Sequence, residues 1–335
     1  MSSSSTPDGP EPVPRLDLAD IETAEQEVAT EHERALGVQR AALKQHGRGL
    51  ITFLWALPGF LWLAFYLIAP LVFIVLMSFW TPDTSVGFVK DWTTQNYSDL
   101  VHPFSLDNAY WKDMWRSFQI SAIAVAACLV FGFPVAYFLA MKVEKLQYQI
   151  ALFILALAPF WTSFITRSVA WAYPLMGSHG ALNTFLVKLG VSSYDHPLLN
   201  TQFTQLSVQL AMIQLYILFM VTPIFFLLAQ VDRHAIEAAR DLGGNWWSTF
   251  REVVLPQTMP GVVIGSIFIF VLTMGEYGTV QVISQGAVTT VGVYIQTQIV
   301  GTQYPQGAAS AVLLVLILIL GVFVITRFSN LREDI

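Results

Sequence analysis

LITFLWALPGFLWLAFYLIAPLVFIVLMSF, residues 50–79, contains no charged side chain and lies between Arg48 and Asp83. An α-helix needs about 20 apolar residues to cross about 30 Å of hydrocarbon. This run is long enough, and its prolines, Pro58 and Pro70, are tolerable in a bilayer because neighbouring helices can satisfy the freed carbonyls. Outward from it the same reading recurs. Further spans are expected at 117–141, bracketed by Arg116 and Lys142, and at 148–166, 206–230, 261–283 and 308–326. The fold class is therefore all-α integral membrane with six transmembrane helices, in one domain from residue 49 to residue 335.

Composition agrees. Of 335 residues 55% are hydrophobic and only 12% charged, against about 25% for a soluble domain. Residues 1–50 hold 14 of the 40 charges and residues 231–252 hold seven, which leaves 19 for the other 263 residues, nearly all of them between or at the ends of the apolar runs. The single cysteine, Cys128, lies in an apolar run and cannot form an internal disulfide. No basic patch points to nucleic acid, and the partner implied by the spans is the lipid bilayer.

Six spans place both termini on one side. Setting them in the cytoplasm puts 12 Lys and Arg inside and five outside (Lys90, Lys112, Arg116, Arg167 and Lys188), the sense of the positive-inside rule. The first 48 residues then form a cytoplasmic tail. Its Ser- and Pro-rich start cannot build a core, and it lacks the basic start and short apolar run of a secretory signal. From Leu16 to Gln45 acids precede bases, which suits a surface helix. The extracytoplasmic segments are 80–115, 171–204 and 284–306, the second interrupted by Pro174, Gly177 and Gly180.

Between the fourth and fifth spans lies the one long charged loop inside, residues 231–259, beginning VDRHAIEAARDLGGNWWSTFREVVLPQ. Asp232 can cap a helix over 234–242, and Gly243-Gly244 can end it in a left-handed turn. Asn245 can cap a second helix, 246–255, which Pro256 and Pro260 would break before the fifth span. Two to eight residues suffice to connect helices, so this length serves more than connection. Ala235, Ala238 and Ala239 form a low ridge that can enter a groove on another protein, with Glu237 beside it. Trp246, Trp247 and Phe250 can anchor the second helix under the bilayer. A plain alternative is that Glu237 pairs with Arg240 on a solvated face.

Glu237-Ala238-Ala239, then Gly243, then Leu255-Pro256, resembles the EAA loop of permeases in binding-protein-dependent ABC importers. Pro159-Phe160-Trp161-Thr162-Ser163, Arg167, Gly180-Ala181-Leu182-Asn183, Met259-Pro260-Gly261 and Tyr304 to Ala309 are similar to the spermidine/putrescine permease branch. The likeness covers residues 50–330. It departs at Gly275-Glu276-Tyr277-Gly278-Thr279, which looks more like the Gly-Glu-aromatic-Gly pattern of oxyanion-importer permeases.

The resemblance implies a type I ABC importer permease fold in a bacterial cytoplasmic membrane, with residues 231–259 as a coupling helix seated in a cytoplasmic ATPase. The partners it implies are two ATPase copies, a second related permease and an extracytoplasmic solute-binding protein. ATP and magnesium would belong to the ATPase, for this chain has no Gly-x-x-x-x-Gly-Lys-Ser/Thr loop and no cofactor is expected in it. The chain would be a transport subunit and no enzyme, with a polyamine the preferred solute and an oxyanion or sugar the alternative.

Candidate pathway residues are Glu276, Tyr277, Arg167, Trp161 and Trp171. An ionisable group such as Glu276, after 23 uncharged residues, ordinarily faces a polar cavity or a partner. Contact with a cationic solute and a structural pair with Arg167 are both open. The aromatic residues also fit an interfacial belt. His179 and His196 lack Cys or acids at metal-ligand spacing. An ion-gradient transporter would carry several intramembrane acids, and a membrane enzyme would cluster Asp, His or Cys at span ends; neither pattern occurs.

Overall fold

A computed structural model of the chain describes residues 55–328 apart from 84, 103, 105–107, 172–176, 178 and 195–202. The expected disordered start, surface helix 16–45 and cytoplasmic tail 1–48 lie outside the described residues. The chain divides into two compact units, residues Met1–Leu71 and Val72–Ile335. The first contains the start of helix α1, Trp55–Met77, whose large apolar side chains are exposed, with Trp62 and Tyr66 packed ring to ring at 4.7 Å.

The second unit is built on three long helices: α3 (Ala109–Tyr137, prolonged to Lys142 by a π-helical turn), α7 (Gln205–Leu228) and α10 (Leu255–Met274). They pack against one another through Ile120, Ala124, Cys128, Met212, Met220, Ile224 and Ile269, all fully buried. In lipid no hydrophobic force drives helices together, so this contact rests on close packing of small and flexible side chains. Helix α13 (Tyr304–Phe328) joins the opposite end of α3 through a second cluster, in which Tyr110 donates to the carbonyl of Ser310 at 3.2 Å.

Among the described residues five helices are long and apolar enough to cross a membrane: α1, α3 with its π turn, α7, the run Trp246–Met274, and α13. The expected third span is a sixth only as a bent pair. Helix α4 (Leu146–Leu157) runs into a 3-10 turn ending at Trp161, and α5 (Phe164–Ala170) leaves at 87°. Pro159 has no amide to continue the ladder, and Thr162 is extended, so the expected span 148–166 is corrected to an elbow.

The fifth span is corrected too. Pro256 and Pro260 do not break the chain; helix runs through both and stops at Met274, and 278–284 is a separate helix, α11 (Gly278–Ser284). Pro256 stands in the first turn of α10, where a missing amide is tolerated, behind a π-helical turn at Phe250–Val254. Thr258 Oγ1 donates back to the Val254 and Leu255 carbonyls at 3.0 and 3.1 Å.

The first inserted segment, residues 80–115, is partly β. Strands β1 (Trp80–Asp83) and β2 (Gly87–Trp92) form an antiparallel hairpin, with Thr81 opposite Val89 and Asp83 opposite Gly87. Aromatic residues on both strands stack across it, Trp80 on Phe88 at 5.0 Å. The Asp83 carboxylate accepts from the amides of Ser85 and Val86, which holds its pKa below the usual carboxylate range. Short helices α2 (Gln95–Val101), α6 (Ala181–Lys188) and α12 (Val291–Val300) complete the insertions.

Candidate functional site

The charged loop folds as its local chemistry dictates. Asp232 accepts from the His234 amide at 2.9 Å and opens α8 (Arg233–Asp241). Gly243, at φ +86°, turns the chain out of the helix; its amide reaches the Arg240 carbonyl at 2.8 Å and that of Gly244 reaches Ala239 at 2.9 Å. A side chain at Gly244 would put its Cβ 2.5 Å from the Ala239 oxygen, so the turn cannot widen to accept one. Asn245 then caps α9 (Trp246–Thr249) by accepting from the Ser248 amide at 2.8 Å.

One face of this hairpin is bound to the membrane helices. Phe250 lies edge-on to Phe133 at 5.4 Å, and Trp246 and Trp247 stack on Phe250 at 5.5 and 5.7 Å. Ile236 packs against the main core. The other face is open: Glu237, Ala238, Asp241 and Leu242 are exposed, Leu242 at 89%. The alanine ridge is narrower than expected, because Ala235 and Ala239 are half-buried and only Ala238 stands clear. Glu237 faces His234 Nδ1 at 3.7 Å, and no ion pair joins it to Arg240 among the described residues. Leu255 is half-buried and Pro256 exposed at the start of α10.

The second candidate site is the break between α10 and α11. Glu276 is held at both carboxylate oxygens: Tyr216 of α7 donates its hydroxyl to Oε2 at 2.7 Å, and the Thr279 amide donates to Oε1 at 2.9 Å. Its backbone carbonyl accepts from Thr290 at 3.3 Å. Helix α5 packs on α11, with Phe164 against Gly278. Arg167 lies over the Phe160 ring at 5.2 Å, and its buried Nε and Nη1 have no acceptor among the described residues. The structural Glu276–Arg167 pair held open by the sequence is therefore not formed. Trp171 packs on the main core, Tyr277 is half exposed, and Trp161 is 80% exposed.

Sequence reading missed a neighbouring cluster. Asp113, buried on α3, accepts from Thr289 at 2.6 Å; Arg116 donates to Thr289 Oγ1 at 2.8 Å and lies 3.9 Å from Asp113; Ser117 Oγ accepts from the Val291 amide at 2.8 Å. These bonds tie the loop before α12 to α3. The signal was an acid and a base at i,i+3 near the start of a long, mostly apolar helix, but their shared partner is 176 and 173 residues away.

Comparison with known proteins decides the family. A family of binding-protein-dependent transport system inner membrane components matches residues 129–333. The chain belongs to this family. The permease is 31% identical over 273 residues to the spermidine/putrescine transport system permease protein PotB of Haemophilus influenzae, covering 81% of this chain and 92% of that one. It is 32% identical over 272 residues to PotB of Escherichia coli, covering 81% and 94%. To the inner membrane ABC transporter permease protein YdcU of Escherichia coli it is 27% identical, covering 83% and 90%. A chain of a bacterial ABC transporter involved in the import of the acidic polysaccharide alginate shares the fold, with a TM-score of 0.63 at 16% identity over 87% of this permease and 99% of that chain. This protein is thus a permease subunit of an ABC importer, an inner-membrane protein of several spans.

Proposed function

We propose that this permease carries a polyamine such as putrescine or spermidine across the cytoplasmic membrane by alternating access, coupled to ATP hydrolysis in a separate subunit. The observation that supports it is the likeness, over nearly the full length of both chains, to permeases named for spermidine and putrescine. The chemistry agrees: Glu276 offers a carboxylate at a helix break inside the membrane domain, in contact with the hydroxyl of Tyr216 and next in sequence to Tyr277.

In this reading both termini are cytoplasmic and the hairpin at 231–259 is the coupling element. Glu237, Ala238 and Ala239 lie at the ATPase surface, Gly243 sets the turn, and Leu255-Pro256 passes the movement into α10. One such chain encloses half a pathway, so a second permease, two ATPase copies and a solute-binding protein complete the machine. Movement of α8 would reach α3 through Phe250 and Phe133, and α10 through the helix that continues from α9. Residues 1–48 remain a cytoplasmic tail outside the permease domain.

A second reading, an anionic solute, is favoured by one observation, the unmet donors of Arg167. The experiment is ATP-dependent uptake by the complete importer in proteoliposomes, offered radiolabelled putrescine, spermidine, phosphate and sulfate. Saturable polyamine uptake is expected. Uptake of an anion instead, with none of polyamine, overturns the first reading in favour of the second.

A further inference from the structure

Arg167 and Glu276 make an uneven pair. Phe164 and Arg167 are three residues apart on α5 and so share a face, and Phe164 fits against Gly278, where a Cβ would come within 3.1 Å of its ring. Glu276 Oε1 lies 3.5 Å from that same point. The guanidinium therefore belongs to the face that meets the Glu276 elbow, yet it stacks on Phe160, and the carboxylate is occupied by Tyr216 and the Thr279 amide. A half-buried guanidinium with two empty buried donors beside a carboxylate that has lone pairs to spare is costly unless another state of the protein joins them. The elbow between α4 and α5, bent by 87°, is a joint that allows α5 to move against α11.

We propose that Arg167 is a tethered cation that closes onto Glu276 in the alternate state of the transport cycle, and that an ammonium group of the solute competes with it for that carboxylate. Arg167 and Glu276 then determine specificity together: a cationic amine releases the latch, and a neutral or anionic solute does not. The competition rests on the polyamine reading, whereas the latch itself does not.

Two measurements on the complete importer test this. First, cysteines replace both residues, as R167C and E276C in a Cys128→Ser background, and are oxidised with and without ATP. A disulfide that forms in one nucleotide condition and not in the other is expected; none in either condition, or equal yield in both, overturns the latch. Second, uptake kinetics are measured for R167Q, E276Q and the double variant. Losing the competitor should lower the KM for polyamine about fivefold in R167Q, equivalent to about 1 kcal/mol. E276Q should raise KM, and adding R167Q to E276Q should change nothing further. An unchanged or raised KM in R167Q overturns the competition. If the wild-type importer takes no polyamine, the solute reading fails while the disulfide experiment still decides the latch.

Discussion

The hairpin at 231–259 and the elbow at Glu276 are opposite kinds of site. Every bond that shapes the hairpin's turn and caps joins residues within five positions of each other: Asp232 with His234, Ala239 with Gly244, Asn245 with Ser248. The elbow is held by Tyr216, 60 residues before Glu276, and by Thr290, 14 after it. A locally determined element can present a fixed surface to another protein while being mostly exposed. A site assembled from distant segments changes when those segments move, which is what a transport pathway requires.

The largest effect should come from breaking the hairpin's turn. Replacing Gly243 or Gly244 with Val, or Glu237 with Arg, should reduce uptake to background while the protein still inserts at normal yield, measured by uptake and membrane immunoblot together. For Gly243 the cost is a positive φ of +86°, which a β-branched residue adopts only under strain of about 1–3 kcal/mol. Normal transport by all three variants would deny the hairpin any coupling role.

Next is the elbow's charge. Glu276→Gln keeps an acceptor for Tyr216 but removes the negative charge, and should raise the KM for a cationic solute about tenfold or more, the size of one charge-assisted contact. Unchanged kinetics would return Glu276 to a structural role. Tyr216→Phe removes one of the carboxylate's two side-anchoring donors. It should cost about 1.5–3 kcal/mol of stability, read as a lower unfolding temperature of the purified importer. A loss in Phe250→Ala of coupling between ATP hydrolysis and uptake, with basal hydrolysis kept, would sharpen the contrast from the other side, since its ring joins the hairpin to α3.

The smallest effect concerns the β1–β2 turn, a third locally built element. Asp83 has a folded pKa below its ordinary 3.8, so its carboxylate steadies the turn above that ordinary value. The support is lost as pH falls through the depressed folded value. Protection factors at Ser85 and Val86 against amide exchange should therefore be flat near neutrality and fall only in acid. Asp83→Asn should abolish that acid dependence.

Sequence alone determined the apolar runs, the capped hairpin with its glycine turn, and the family likeness carried by Glu237, Ala238, Ala239 and Gly243. Each depends on composition or on residues within a turn or two, where hydrophobic length and backbone geometry act directly. It did not foresee the bend at Thr162-Ser163, because a proline in an apolar run is equally compatible with a straight span and an elbow. It also ran the fifth span past Met274, since Gly275 to Tyr277 reads as apolar enough apart from Glu276. Only the tertiary structure decided which partners the buried polar groups take. Tyr216 reaches Glu276, Thr289 bridges Asp113 and Arg116, and Arg167 is left stacked on Phe160. In a medium without water such groups must bond to whatever packing brings within about 3 Å, and packing is a property of the assembled helices rather than of any one stretch of chain.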